Sequence, residues 1–133
     1  MENTGLSRDK LNELSSAILK AAIAVHREMG PGLLESVYHH CMIKELRDRQ
    51  LQVNTLVPVQ LHYKGEALTK AYVIDILVED EIILELKAHE MILPVHEAQI
   101  ISYLKIANKR LGFLINFHAP LLKQGFKRFV NGF

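Results

Sequence analysis

The sequence predicts an α/β domain with a small mixed sheet flanked by helices, its elements in the order ααβββαβ with one more candidate strand at the end. Three observations carry this. Apolar residues recur at steps of three and four from Leu11 to Leu46, the mark of amphipathic helices. The period changes to two at Val53, and β-like stretches continue to Lys87. A helical stretch then separates this block from a further apolar strand, and helices both before and between strands point to a sheet covered by helices.

The first helix is expected over about residues 7–29, with Leu11, Leu14, Ile18, Ala21, Val25 and Met29 on one face. Ser7 suits the N-cap, and Gly30, Pro31 and Gly32 end the helix and reverse the chain. A second helix is expected over about residues 33–50. Leu34, Val37, Tyr38, Cys41, Met42 and Leu46 form its apolar stripe, and Lys44, Arg47, Asp48 and Arg49 face water. Val53, Thr55, Val57, Val59, Leu61 and Tyr63 then alternate as a half-buried strand. Pro58 within it asks for an edge position or a bulge. Lys64, Gly65 and Glu66 read as a turn. Two more strands are expected near residues 72–78 and 82–87, joined by Glu79, Asp80 and Glu81. Pro94 suits the first position of a third helix over about residues 94–108. Residues 111–117 read as a fourth strand, and the tail at 125–130 is a candidate edge strand.

A chain of 133 residues is expected to form one domain over 1–133, with a core that needs no disulfide. The formal charge of +1 supplies no global basic field, so any contact with nucleic acid has to come from a local patch. The single Cys41 excludes an internal disulfide and suits a reducing cytosol; a disulfide-free secreted chain would read the same way. The first ten residues are polar, unlike the apolar core of a signal peptide. No apolar run approaches the roughly 20 residues that a membrane span requires. The expectation is a soluble, cytoplasmic chain.

Asp75 is the residue that asks for an explanation. It interrupts a run, Tyr72 to Val78, that is otherwise apolar on both faces. A bare buried carboxylate costs several kcal/mol or takes up a proton. If Glu79, Asp80 and Glu81 form a three-residue connection, Val78 pairs with Ile82 and Asp75 falls opposite Glu85. Directly opposed residues share a face, with Cβ atoms about 4.5–5.5 Å apart. Lys87 lies on that face too. A two-residue connection would separate the carboxylates, so the inference depends on the register. Two opposed carboxylates raise the pKa of one unless a cation intervenes, and hard oxygen donors suit Mg²⁺ or Mn²⁺. The plainer alternative is a surface hairpin in which Glu85 and Lys87 form a weak ion pair.

Asp75 followed by Glu85-Leu86-Lys87 on the next strand resembles the core of the PD-(D/E)XK nuclease superfamily. Gly32, Glu35 and Tyr38 match the GxxExxY pattern that names one branch of it. The segment Pro94-Val95-His96-Glu97-Ala98-Gln99 followed by Tyr103 is similar to that branch, and Gln99 to Tyr103 has the QxxxY spacing of RecB-like nucleases. The resemblance spans about residues 14–117. It implies a restriction-endonuclease-like core in which Asp75, Glu85 and the Leu86 carbonyl hold Mg²⁺ or Mn²⁺. Lys87 would position water or stabilise charge, and Glu35 would reach the same site. Gln99 and Tyr103 would complete it. The basic residue usual before the Asp is here Val73, which puts a substrate contact in doubt but no ligand.

Glu35 is equally well placed to complement the dipole of its own helix, and core packing accounts for Gln99 and Tyr103 equally well. The seven His include no HExxH and no zinc spacing, although His96 opens the third helix near the site. No nucleophile elbow, GxGxxG or P-loop occurs. Lys105, Lys109 and Arg110 cluster at the end of the third helix, and Lys123, Lys127 and Arg128 alternate with Phe126 and Phe129. Such residues contact phosphates and bases, or they are a solvated helix end and a charged edge strand.

Three functions follow as expectations: a metal-dependent nuclease acting on DNA or RNA, a non-catalytic nucleic-acid- or protein-binding module on the same fold, and a subunit or homodimer joined through the apolar tail of Phe126, Phe129, Val130 and Phe133.

Overall fold

Ser7 has extended backbone, and its hydroxyl accepts the N–H of Lys10 at 3.1 Å. This caps helix α1, Arg8–Met29, in the computed structural model, which describes residues 5–133. Residues 1–4, the start of the polar N-terminal stretch, lie outside the described residues. The expected face of α1 is buried from Leu11 to Val25, whereas Met29 is exposed because the helix ends beyond the core. Helix α2, Glu35–Asp48, starts later than its periodicity suggests. Leu33 and Leu34 belong to the reversal before it, and Leu34 is 74% exposed. Gly30 and Gly32 take φ of 72° and 96° there, a region that a Cβ disfavours. Tyr38 ties the reversal together. Its hydroxyl donates to the Gly30 carbonyl and accepts the Leu33 N–H at 3.1 Å, while its ring stacks on Phe117 at 4.6 Å.

Strands β1 (Val53–Tyr63) and β2 (Glu66–Val78) form a long antiparallel hairpin. β2 begins well before residue 72. Pairing with β1 orders residues 66–71, whose polar composition carries no β period. β1 is an edge strand, which accommodates Pro58. Strand β3 (Ile82–Lys87) follows antiparallel to β2. Helix α3 (Pro94–Ala107) then crosses over to β4 (Leu111–Asn116), which lies parallel to β3. A 3₁₀ turn, Leu122–Gly125, precedes β5 (Phe126–Val130), antiparallel to β4. The sequence carries no periodic signal for that turn. Gly125 is required in it, because a Cβ there would stand 2.2 Å from the Asn116 carbonyl oxygen.

The sheet order is β1-β2-β3-β4-β5, and the expected mixed sheet flanked by helices is what the chain forms. One core lies between the sheet and α1 and α2, and includes Ile76, Val78, Leu84 and Leu86. A smaller one, with Leu77, Ile83, Ile100, Tyr103 and Leu104, lies under α3. Val53 belongs to the first, whereas Val57 and Val59 pack on the second despite sharing its parity. Leu56, at φ 50°, is where β1 changes over.

The aromatic tail is used within the chain. Phe126 and Phe133 pack on the first core and Phe129 on the second, while the guanidinium groups of Arg8 and Arg128 lie over the Phe133 ring at 5.0 and 4.6 Å. Of the four apolar tail residues expected to meet a partner, Val130 is the exposed one. No helix among the described residues is long and apolar enough to cross a membrane.

Candidate functional site

The turn between β2 and β3 sets the site. Val78 pairs with Ile82, Leu77 with Ile83 and Ile76 with Leu84, so one further step brings Asp75 opposite Glu85. This is the register of a three-residue connection. Glu79 and Asp80 hold left-handed backbone there, φ 53° and 56°, a conformation costing about 1–2 kcal/mol per non-glycine residue. Neighbours hold it in place. Lys109 Nζ donates to the Asp80 carbonyl at 2.8 Å, Gln52 N–H donates to Glu79 Oε2 at 2.5 Å, and Leu6 N–H donates to Glu81 Oε1 at 2.8 Å.

Asp75 sits at a gap in both of its ladders. The β1 pairing passes from Thr55↔Ile76 to Val57↔Ile74, and the β3 pairing ends at Ile76↔Leu84. Side chains replace the missing bonds. Asp75 N–H donates to Glu85 Oε2 at 3.1 Å, and Leu86 N–H donates to Asp75 Oδ2 at 3.0 Å. His39 Nε2, on α2, lies 3.3 Å from the Asp75 carbonyl oxygen.

Glu85 is 7% exposed. Burial first, then the charge of Asp75, pushes its carboxyl up to about 9, with Lys87 opposing. Glu85 therefore keeps its proton at neutral pH even with Lys87 nearby. That donor set fits a hard divalent cation, which takes one or two carboxylates and fills its remaining positions with water or phosphate oxygens.

Among the described residues, no group of three or more His, Cys, Asp and Glu side chains is spaced to hold a metal together. Glu35 stands instead with His89: its Oε1 lies 3.8 Å from His89 Nε2, and the His89 ring stacks on His96 at 5.1 Å. His96 accepts the Leu93 N–H at Nδ1. Desolvation, then the charges of Lys87 and His89, lower its pKa. Lys87 thus acts on Glu85 on one side and His96 on the other.

The α3 residues separate. Tyr103 is 8% exposed and tilts against Tyr72 at 5.3 Å. Burial, then the charges of Glu85 and Asp75, raise its hydroxyl pKa, so it stands within reach of the carboxylate field. Gln99 and Val95 are exposed, so core packing does not account for Gln99. The basic residues are mostly engaged. Lys109 holds Asp80, Arg110 donates to the Leu6 carbonyl and faces Glu81 at 3.6 Å, and Lys127 bridges Glu97 at 2.8 Å. Arg128 covers Phe133, and Lys105 is exposed.

Sequence reasoning missed His89, His39 and Asn116. Asn116 ends β4 opposite Lys87 and is 7% exposed. Its Oδ1 accepts the N–H groups of His89 and His118 at 3.1 and 3.2 Å, and its Nδ2 donates to the His89 carbonyl at 2.9 Å. The argument that singled out Asp75, a polar residue in a buried strand, applies to Asn116 as well. Asn116 and His89 lie at the carboxyl ends of the parallel strands β4 and β3, where α/β sheets place ligands. A groove of about 490 Å³ adjoins them, walled by Asn116, His118, Glu97 and Lys127.

A model of the PD-(D/E)XK nuclease superfamily matches residues 12–129. Comparison with curated proteins and with solved structures found no match.

Proposed function

The chain belongs to the PD-(D/E)XK nuclease superfamily, and on that premise we propose that it is a divalent-metal-dependent phosphodiesterase of the GxxExxY branch acting on DNA or RNA. One observation carries the reading. Asp75 and Glu85 are held side by side, the Asp75 N–H on Glu85 Oε2 and the Leu86 N–H on Asp75 Oδ2, and burial with the charge of Asp75 raises the Glu85 carboxyl. Asp75, Glu85 and the Leu86 carbonyl would hold Mg²⁺ or Mn²⁺. Once bound, such an ion would supply positive charge against the negative charge developing on the phosphoryl and leaving oxygens and would acidify water.

The protein's own groups do the rest. The ammonium of Lys87 orients the attacking water or stabilises the charged transition state. Tyr103, its hydroxyl kept protonated by burial, donates a hydrogen bond toward the reacting phosphate. Glu35 and Gln99 line the approach. Glu35 serves best through His89, the side chain it meets, rather than as a third ligand.

Calorimetric titration of Mn²⁺ into wild type and Glu85→Gln tests the reading, followed by cleavage assays on single- and double-stranded DNA and RNA. Binding lost in the variant, with cleavage that requires Asp75 and Lys87, is the expected result. Cleavage that survives Asp75→Asn and Lys87→Ala would remove the assignment. A second reading, a non-catalytic nucleic-acid-binding module, draws support from Glu35 standing with His89 instead of with the carboxylate pair. Salt-dependent binding without turnover, unchanged in Asp75→Asn, would select it.

A further inference from the structure

The cations that cluster in the sequence are mostly engaged inside the fold, but Lys123 among them and two on α1 are not. Lys20, Arg27 and Lys123 are exposed and, among the described residues, make no ion pair or side-chain hydrogen bond. The fold brings them together on the outer side of α1. Two adjoining grooves, of about 380 and 240 Å³, share Ile23 and Arg27. Lys20 and Arg49 line the first, and Lys123 lines the second.

No carboxylate lines either groove. Glu28 and Glu45 line a separate one, although Glu45 reaches Arg49 at 2.9 Å. Glu13, two turns before Lys20 on the same helical row, lines neither. The whole chain carries a formal charge of only +1, so this is a local concentration of positive charge. Lys20 and Arg27 lie seven residues apart on one helix, about 10 Å along its axis. That is roughly the axial span of three nucleotides of one strand.

We propose that this groove pair binds the phosphodiester backbone of a nucleic acid, as a second contact for a long substrate on the α1 layer of the sheet. The identity of the polyanion rests on the nuclease reading; the groove and its charge do not. Distance from Glu85 keeps the site independent of the metal, since α1 covers one face of the sheet and α3 the other.

The test is fluorescence anisotropy with DNA and RNA strands of about 30 nucleotides, in EDTA, across a salt series. Wild type is compared with Lys20→Glu/Arg27→Glu/Lys123→Glu and with the milder triple Gln variant, which guards against misfolding. The expected result is weaker binding in both variants, with the salt slope reduced by about one unit per cation removed. Wild-type affinity and slope in the Gln variant would overturn the proposal. So would no binding by wild type at low salt, or binding only to anionic phospholipid vesicles run in parallel. Groove-dependent binding without Mn²⁺-dependent cleavage would leave the groove standing and remove the nuclease reading. Cleavage with unaltered binding in the Gln variant would do the reverse.

Discussion

Asp75 N–H donates to Glu85 Oε2 at 3.1 Å, in the position where the β2–β3 ladder would have continued through backbone atoms. The bond ties the Glu85 carboxylate to the Asp75 main chain, and the Leu86 N–H ties the Asp75 carboxylate to the neighbouring strand at 3.0 Å. These bonds hold the carboxylates together while Glu85 is 7% exposed, which makes the pair sensitive to pH and to cations.

The first prediction concerns that sensitivity. The folded-state pKa of Glu85, about 9, lies above its ordinary value of 4.5, so the folded protein binds the extra proton between these limits. The contribution of Glu85 to stability is therefore full below about pH 4.5 and is lost as pH rises toward 9. Glu85→Gln should melt progressively higher than wild type as pH increases in EDTA, and Mn²⁺ should narrow the gap by stabilising wild type alone. Parallel melting profiles at every pH would contradict this.

Chemistry at the site should depend on Lys87. Lys87→Ala is expected to keep the fold and Mn²⁺ binding while slowing cleavage by roughly 10²–10³-fold, the usual cost of losing a group aimed at transition-state charge. The measurement is a single-turnover rate beside a calorimetric Kd. Loss of both together would mean that Lys87 shapes the metal site instead.

Asn116 should prove structural and positional at once. Asn116→Ala leaves two N–H groups and the His89 carbonyl without their partner, a cost of about 2 kcal/mol or more. Urea denaturation gives the stability. The positioning role has its own readout, the ring resonances of His89 and His96, which should lose their mutual ring-current shift. Unchanged resonances would confine Asn116 to stability.

Tyr38→Phe should retain the stack on Phe117 and lose both hydroxyl bonds to the Gly30–Leu33 reversal. The expected loss is about 1–3 kcal/mol, read by urea denaturation. Faster amide exchange at Leu33 should accompany it. An unaltered exchange rate would show that the glycines hold the reversal unaided.

Much of this was legible locally. Leu11 through Val25 announced α1 by their spacing and Ser7 announced its cap, and of the two connections that the acidic residues after Val78 allow, the β2–β3 pairing takes the three-residue one, which sets Asp75 opposite Glu85. Pro58 pointed to an edge strand, and β1 is one. Each of these depends on neighbours within a few residues, where backbone geometry dictates the period. The early start of β2 was not legible, because residues 66–71 owe their order to β1 across the hairpin.

The sequence by itself determined the order of elements and singled out the two carboxylates, which share a face only if the turn between them has three residues. Only the tertiary structure decided that Val53 and Val57 serve different cores, that His89 meets Glu35, and that Lys127 is paired while Lys20, Arg27 and Lys123 are free. The physical reason is range. Periodicity encodes which side of an element a residue takes, whereas the partner it meets there is set by packing between segments distant in the chain, and no local pattern carries that information.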